Sequence, residues 1–220
     1  MWSKVVANYK MTVKESWVRD FYTLFIIRPI ASLMVVPISN TRVTPNQITI
    51  LSIILHFFTL YALLRMEFFI AGLGLFFVYV LDCVDGQLAR ENKMVSKFGM
   101  NFDPAVDFMK ETTFYSVLLI LNIHNQTLFV LQNLAFLILL HSFFIDWLRK
   151  RNNVLYEKKS TAYNKYKSKF GIQFWNIGAR QLIYTISIFC KRPDIIIFYV
   201  LTIGLILTGQ KYYRFFSRLK

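Results

Sequence analysis

The sequence predicts an all-α integral membrane protein, a bundle of six transmembrane helices preceded by an amphipathic helix at the membrane interface. Hydrophobic residues make up 55% of the 220 residues, and 17% are aromatic. They form long apolar runs, which are typical of a membrane bundle and rare in a soluble domain. The net charge is +14. Because the basic residues lie between the apolar runs, anionic lipid headgroups are better partners for them than nucleic acid.

Residues 1–43 predict a cytoplasmic or interfacial segment. The first twenty residues alternate charged and aromatic side chains and lack the apolar core of a cleavable signal peptide. Residues 21–39 are apolar but are interrupted by Arg28, Pro29 and Pro37. These interruptions favour an amphipathic helix that lies at the cytoplasmic interface. A short or tilted membrane helix is the alternative.

The six-span domain is predicted over residues 44–210. Thr44 is a suitable N-cap, with Pro45 in the first helical position. In the second span, Gly72 and Gly74 are expected to permit close helix packing. The spans are predicted over residues 46–64, 68–85, 98–122, 127–147, 172–190 and 193–209.

The distribution of basic residues predicts the orientation of the chain. Of the 26 Lys and Arg residues, 21 lie before residue 44, in a predicted loop at 86–97, in a predicted basic hairpin at 148–170, or after residue 210. By the positive-inside rule, these segments and both termini face the cytoplasm. Residues 211–220 are therefore predicted to be a basic cytoplasmic tail.

Four of the 12 acidic residues are the aspartates of one stretch, Asp82 to Asp107, which has the pattern D-x2-D-G-x2-A-R-x8-G-x3-D-x3-D. On a helix, Asp82 shares a face with Asp85, and Asp103 shares a face with Asp107. If two antiparallel helices present these faces to each other, the four carboxylates converge. They cannot all stay ionised in a poorly solvated site unless cations join them. Mg2+ or Mn2+ fits best, in a two-metal site suited to displacement at phosphorus.

The residues between the aspartates fit the same chemistry. Gly86, Ala89 and Gly99 allow backbone or ligand to come close where a side chain would block it. Arg90 adds positive charge beside the carboxylates, which a pyrophosphate would use. Helix-surface ion pairs or a proton relay are the alternative for the acids, but neither explains why the small residues stand at set offsets from them.

This stretch resembles the signature of the CDP-alcohol phosphotransferase (CDP-alcohol phosphatidyltransferase) family, the integral membrane enzymes of phospholipid synthesis. Every fixed position of that signature is present with the same spacing. The resemblance implies transfer of a phospho-alcohol group, most often phosphatidyl, from a CDP-linked donor to the hydroxyl of an acceptor alcohol, with release of CMP. It also implies that Asp82, Asp85, Asp103 and Asp107 hold two divalent ions, Mg2+ or Mn2+, and that Asp107 is the general base.

The resemblance further implies a binding site for the CDP donor. It includes the small and basic motif residues and the Thr-Pro-Asn start of the first span. For the residues of that start, helix capping is the alternative. The implied donor site comprises Asn46, Thr49, Gly86, Ala89, Arg90 and Gly99.

Ionisable residues inside predicted spans are costly and usually functional. Lys110 and Glu111 follow Asp107 within one helical turn, and Arg180 lies in the fifth span. All three are candidate acceptor contacts. Ion pairing is the alternative for Lys110 and Glu111, and snorkelling to headgroups is the alternative for Arg180. His56 is expected to be a satisfied interior side chain, because no second His accompanies it.

The sequence leaves several alternatives open. The donor is CDP-diacylglycerol or a CDP-linked soluble alcohol, and the acceptor is not determined. The family resemblance also implies a possible homodimer. A function of a different class is a cation or proton transporter that uses the four aspartates as a relay. A relay favours acids spread across the bilayer, whereas these bracket one predicted cytoplasmic loop.

Overall fold

The computed structural model describes residues 2–15, 20–94, 97–156 and 177–217. Every regular element within these ranges is helical, which confirms the predicted all-α class. A π-helical turn at Thr23–Ile27 leads into the second helix, and another at Val200–Gly204 joins the eighth to the ninth. The helices are α1 (Trp2–Glu15), α2 (Arg28–Ile38), α3 (Pro45–Leu64), α4 (Phe68–Glu91), α5 (Lys97–Leu121), α6 (Gln126–Tyr156), α7 (Ile177–Phe189), α8 (Asp194–Tyr199) and α9 (Leu205–Phe216).

Among the described residues, four helical stretches are long and apolar enough to cross a membrane. They are Pro45–Leu64, Phe68–Glu91, Gln126–Leu148 and Asp194–Tyr213. Helix α5 has 25 residues, but its charged side chains make it less apolar than these four. Helix α7 is described over only 13 residues. The count of six spans therefore stays a prediction.

Two predicted loops are partly helical, which corrects the sequence-based boundaries. Helix α4 continues through the predicted loop to Glu91, because Gln87 and Leu88 are buried and extend its packed face. Helix α6 continues to Tyr156, into the predicted hairpin at 148–170. The rest of that hairpin, from residue 157, lies outside the described residues. Helix α9 also runs past residue 209, the predicted end of the last span.

Helix α3 begins as predicted, with Thr44 at the N-cap and Pro45 in the first turn. The side-chain Oε1 of Gln47 accepts a hydrogen bond from the Thr44 backbone N–H at 2.9 Å, which satisfies a donor at the helix start. At the far end, Met66 adopts a left-handed backbone (φ 59°) that closes the turn into α4. Helices α3 and α4 therefore form a tight antiparallel hairpin.

Two glycines bring α4 close to its neighbours, as predicted. A Cβ at Gly72 would meet the ring of Phe189 on α7 at 2.9 Å, and one at Gly74 would overlap the hydroxyl of Thr59 on α3. Neither position has room for a larger residue without movement of its neighbour. Helix α4 thus packs directly against both α3 and α7.

The N-terminal segment is packed against the rest of the molecule. Helix α1 contacts α2, and α2 contacts α4. Ile27 and Val35 are fully buried in one apolar cluster with Val80 and Leu88 of α4. The predicted interfacial position is a statement about the membrane, and it stays a prediction.

A second apolar cluster lies between α3, α5, α6 and α7 around Tyr115, Leu139 and Ile188. Other large apolar side chains face outward; Phe58 of α3 and Phe69 of α4 are each 67% exposed. Outward aromatic side chains on long apolar helices are suited to contact with lipid. The polar interior side chains include His56, whose Nε2 lies 2.9 Å from the hydroxyl of Thr113, as expected of a satisfied interior histidine.

Candidate active site

Helices α4 and α5 bring the four motif aspartates towards one another. Asp82 is close enough to interact electrostatically with each of Asp85, Asp103 and Asp107. Helix α5 packs mainly on α3 and α6, so a gap remains between its aspartates and those of α4. Of the four aspartates, Asp82 and Asp107 line a common cavity, and the convergence of all four on one site stays a prediction.

The two aspartates of α4 have different partners. Asp85 is buried, and its Oδ2 accepts a 2.6 Å hydrogen bond from the hydroxyl of Thr49. The side chain of Asp82 is 28% exposed, and its Oδ1 lies 2.9 Å from the Nζ of Lys110. Each of these two carboxyl groups therefore has a polar side-chain partner, Thr49 for Asp85 and Lys110 for Asp82.

A cavity of about 200 Å³ lies beside these carboxylates. It is lined by two motif aspartates, Asp82 and Asp107, and by two motif residues of the predicted donor site, Gly86 and Arg90. Its other lining residues are Thr12, Thr23, Arg28, Tyr79, Cys83, Gln87 and Ile177. The motif therefore lines a concave site in which carboxylate and guanidinium groups lie close together, and concave sites with a few convergent polar groups are where small molecules usually bind.

A smaller cavity of about 20 Å³ adjoins the first and shares its residues Asp82 and Asp107. Lys110 and Glu111 also line it, as does Gln181 of α7. Two of the three predicted acceptor contacts thus lie next to the aspartates.

Glu111 and Arg180 form a buried ion pair between α5 and α7. The Nε of Arg180 lies 2.8 Å from Oε1 of Glu111, and its Nη2 donates to Oε2 at 2.9 Å. The hydroxyl of Tyr184 donates to the same Oε1 at 2.8 Å. The guanidinium also lies 5.5 Å from the ring centre of Phe143. Arg180 is therefore held inside the bundle, and the alternative of snorkelling to headgroups is wrong.

The structure separates the predicted donor residues into two groups. Gly86 and Arg90 line the larger cavity, and Thr49 contacts the motif through its hydrogen bond to Asp85. Asn46 is exposed near the start of α3, and Ala89 is half-buried on α4 outside the residues that line the cavity. Gly99 lies in the first turn of α5, and Asp103 is exposed one turn further on.

The N-terminal segment contributes residues to the site that the sequence had not predicted. Thr12, Thr23 and Arg28 line the cavity from α1 and from the helical stretch that contains α2. A signal was available for Arg28, because a charge within an apolar run is costly and needs a partner or a function. Tyr79 carried no such signal, since an aromatic residue in a span is ordinary.

The donor set fits hard divalent cations, because carboxylate oxygens are the ligands that Mg2+ and Mn2+ prefer. The ammonium of Lys110, 2.9 Å from Asp82, already places one positive charge beside these carboxylates. Within the described ranges, no three carboxylate, thiol or imidazole groups lie close enough together to hold one ion. The side chains are thus of the chemical type that binds these metals. Their positions among the described residues, however, do not form a complete ligand shell.

Comparisons with known proteins point the same way. The sequence model of the family described as CDP-alcohol phosphatidyltransferase matches residues 42–209, which include all four aspartates. Over 76 residues the chain is 32% identical to an archaetidylinositol phosphate synthase of Pyrococcus horikoshii. That match covers 34% of this chain and 40% of the relative.

Proposed function

The chain belongs to the CDP-alcohol phosphatidyltransferase family. We propose that it transfers a phospho-alcohol group, with phosphatidyl as the first candidate, from a CDP-linked donor to an acceptor hydroxyl. CMP is the product that leaves. The observation that carries this proposal is the cavity of about 200 Å³, where Asp82 and Asp107 meet Gly86 and Arg90 of the motif. The acids lie in the halves of α4 and α5 next to their connection, which suits a site at one membrane face better than a relay across the bilayer.

In this proposal Asp82, Asp85, Asp103 and Asp107 hold two divalent ions. Such ions, when bound, neutralise the pyrophosphate and stabilise the departing CMP. Thr49 has a supporting role, because its hydroxyl fixes one oxygen of Asp85. Lys110 balances the charge of Asp82 and lies one helical turn beyond Asp107.

Asp107 is the proposed general base. It lines both cavities, so an acceptor hydroxyl placed in either can reach it. Asp107 takes the hydroxyl proton as the acceptor oxygen bonds to the phosphorus beside the donor's alcohol. The bond between that phosphorus and the CMP oxygen breaks, and the electron pair leaves with CMP.

The donor site is proposed at the larger cavity. The guanidinium of Arg90 lies over Gly86, where a Cβ would come within 3.5 Å of its Nη1. The missing side chain leaves space beside a cation, which suits a phosphate group. Thr49, Ala89, Asn46 and Gly99 complete the donor site that the family signature implies.

The acceptor is proposed to place its reacting hydroxyl near Lys110, where the smaller cavity shares Asp82 and Asp107 with the larger one. Glu111 and Arg180 are proposed to hold α5 in place beside this cavity, since they form an ion pair with each other and Glu111 accepts a hydrogen bond from Tyr184. The name of the Pyrococcus horikoshii relative specifies an inositol phosphate lipid, which makes a phosphorylated polyol the first acceptor to try. CDP-diacylglycerol is the first donor to try.

The proposed membrane arrangement has six spans, with α5 and α7 added to the four apolar stretches. The charged part of α5 is compatible with a span because Asp107 and Lys110 line the smaller cavity and Glu111 pairs with Arg180 of α7. The basic segments face the cytoplasm, and so does the active site. A homodimer remains a prediction of the family resemblance.

The test is release of CMP by the full chain in detergent or liposomes. Labelled CDP-diacylglycerol and a CDP-linked soluble alcohol are each offered with a panel of acceptors, with Mg2+ or Mn2+. We expect product from one donor, none with a chelator, and a loss of about 10²- to 10⁴-fold in Asp107→Asn.

Asp146→Asn is the matched control, because Asp146 pairs with Lys211, lines neither of the two cavities and has a side chain that is 48% exposed. It is expected to keep its activity. If no CDP-linked donor yields CMP with either metal, the proposal fails. Metal- or proton-dependent ion flux in liposomes would then favour the transporter.

A further inference from the structure

The N-terminal segment forms one wall of the larger cavity and is held there by defined contacts. The hydroxyls of Thr23 and Tyr79 lie 2.6 Å apart, and Ser32 donates a 3.1 Å hydrogen bond to Oε1 of Gln87. These contacts join residues of the segment to α4 across more than fifty positions of the chain. The segment is thus tied to the motif helix by buried polar contacts as well as by its apolar face.

Helix α7 closes on the same segment. A Cβ at Gly178 would overlap the hydroxyl of Thr23 and the carboxylate of Asp20. That carboxylate accepts a 2.8 Å hydrogen bond from the Thr23 backbone N–H, which fixes the start of the π-helical turn. Because the turn is held from two sides, the residue that follows it has a defined position.

Arg28 is that residue. It is only 4% exposed, it lines the cavity, and its Nη1 donates a 3.0 Å hydrogen bond to the backbone carbonyl of Thr12. It is close enough to Arg90 for the two positive charges to repel each other. A low-dielectric cavity that brings two guanidiniums together is suited to an anion, because a shared anion converts their repulsion into attraction.

We infer that Arg28 binds a phosphate group of the substrate, opposite Arg90 in the same cavity. The inference rests on the proposed function, which supplies substrates with phosphate groups. The phosphate belongs either to the pyrophosphate of the CDP donor or to a phosphorylated acceptor. Arg28 precedes residues 42–209, the part of the chain that the family model matches. The site therefore combines a family residue, Arg90, with a residue that the family motif does not include.

A purely structural Arg28 would fix the position of α1 through contacts such as its hydrogen bond to the Thr12 carbonyl. The two roles are separable by charge and shape. Arg28→Gln keeps a side-chain donor for that carbonyl and removes the charge, whereas Arg28→Lys keeps the charge and loses the planar fork that suits phosphate. Arg192→Gln is the matched control, because Arg192 is exposed and pairs only locally with Asp194.

The experiment measures binding of inorganic pyrophosphate and of inorganic phosphate to the full chain in detergent with Mg2+, together with CMP release. We expect Arg28→Gln to weaken pyrophosphate binding about tenfold, Arg28→Lys to weaken it less, and Arg192→Gln to leave it unchanged. In Arg28→Gln, the KM for one of the two substrates is expected to rise as well. A rise for the donor alone assigns the phosphate to the pyrophosphate, and a rise for the acceptor alone assigns it to the acceptor.

If Arg28→Gln does not fold, Arg28→Lys decides, with the melting temperature as the check on folding. Wild-type KM values and wild-type pyrophosphate affinity in a folded Arg28 variant overturn the inference and leave the proposed function standing. So does failure of the wild type to bind either pyrophosphate or inorganic phosphate while it releases CMP. If the wild type binds pyrophosphate through Arg28 but releases no CMP, the anion site stands and the proposed function fails.

Discussion

Lys110 and Glu111 are consecutive residues of α5, and they belong to two different regions of the molecule. Lys110 faces the cavity and pairs with Asp82, whose side chain is 28% exposed. Glu111 pairs with Arg180 between α5 and α7, where both side chains are only 6% exposed. A partly exposed pair is exchangeable, since water or a ligand can replace either partner. A buried pair is permanent, because separating it leaves an uncompensated charge.

The two regions should therefore respond differently to mutation. Changes at the buried pair are expected to reduce stability, and changes at the cavity are expected to reduce binding or catalysis. The following predictions test that division, beginning with the largest expected effect.

Arg180→Leu is expected to lower the free energy of unfolding by about 3–5 kcal/mol, because Glu111 is left charged and buried. The double variant Arg180→Leu with Glu111→Leu should regain most of this loss, since no charge remains. Unfolding in detergent measures both. Equal stability of wild type and Arg180→Leu would show that the pair is not a structural element.

Thr49→Val tests an intermediate case, a cavity-side carboxylate that is buried. The variant keeps the shape of the side chain but removes the hydrogen bond to Asp85. We expect a loss of about 0.5–1.5 kcal/mol in stability, the usual net contribution of a hydrogen bond. Thr49→Ser is the control and should retain most of the stability. If both variants are equally destabilised, packing and not the hydroxyl is responsible.

Substitution of two glycines, one in a tightly packed contact and one at the cavity, gives a direct comparison of the structural region with the binding region. Gly178→Ala places a Cβ against Thr23 and Asp20 and is expected to cost about 1–3 kcal/mol, as overpacking does. Gly86→Ala makes only an ordinary contact with Arg90. It should keep the melting temperature of the wild type and raise the KM for the CDP donor. The opposite ranking of melting temperatures would contradict the assignment of Gly86 to the cavity.

Lys110→Met is expected to change stability by about 1 kcal/mol or less, because Asp82 is partly exposed and can be hydrated. The half-saturating concentration of Mn2+ should fall several-fold, since the ammonium no longer competes for Asp82. Titration of the melting temperature with Mn2+ measures this shift. A destabilisation as large as that of Arg180→Leu would place Lys110 in the structural region instead.

The helical class, the start of α3 at Pro45 and the close packing at Gly72 and Gly74 all followed from local patterns. Local rules failed at the end of α4, where glycine and polar residues indicated a loop. Burial of Gln87 and Leu88 extends the helix there to Glu91. Tertiary packing outweighed the intrinsic preference of the segment.

The sequence by itself determined that Asp82 shares a face with Asp85 and Asp103 with Asp107, because the helical period sets which residues of one helix point the same way. It also determined the family, through residues at fixed spacing. Only the tertiary structure decided that Arg28 lines the same cavity as Arg90, and that Glu111 pairs with Arg180 while Lys110 pairs with Asp82. Those contacts join residues far apart in the chain. They depend on how helices pack against one another, which no local period specifies.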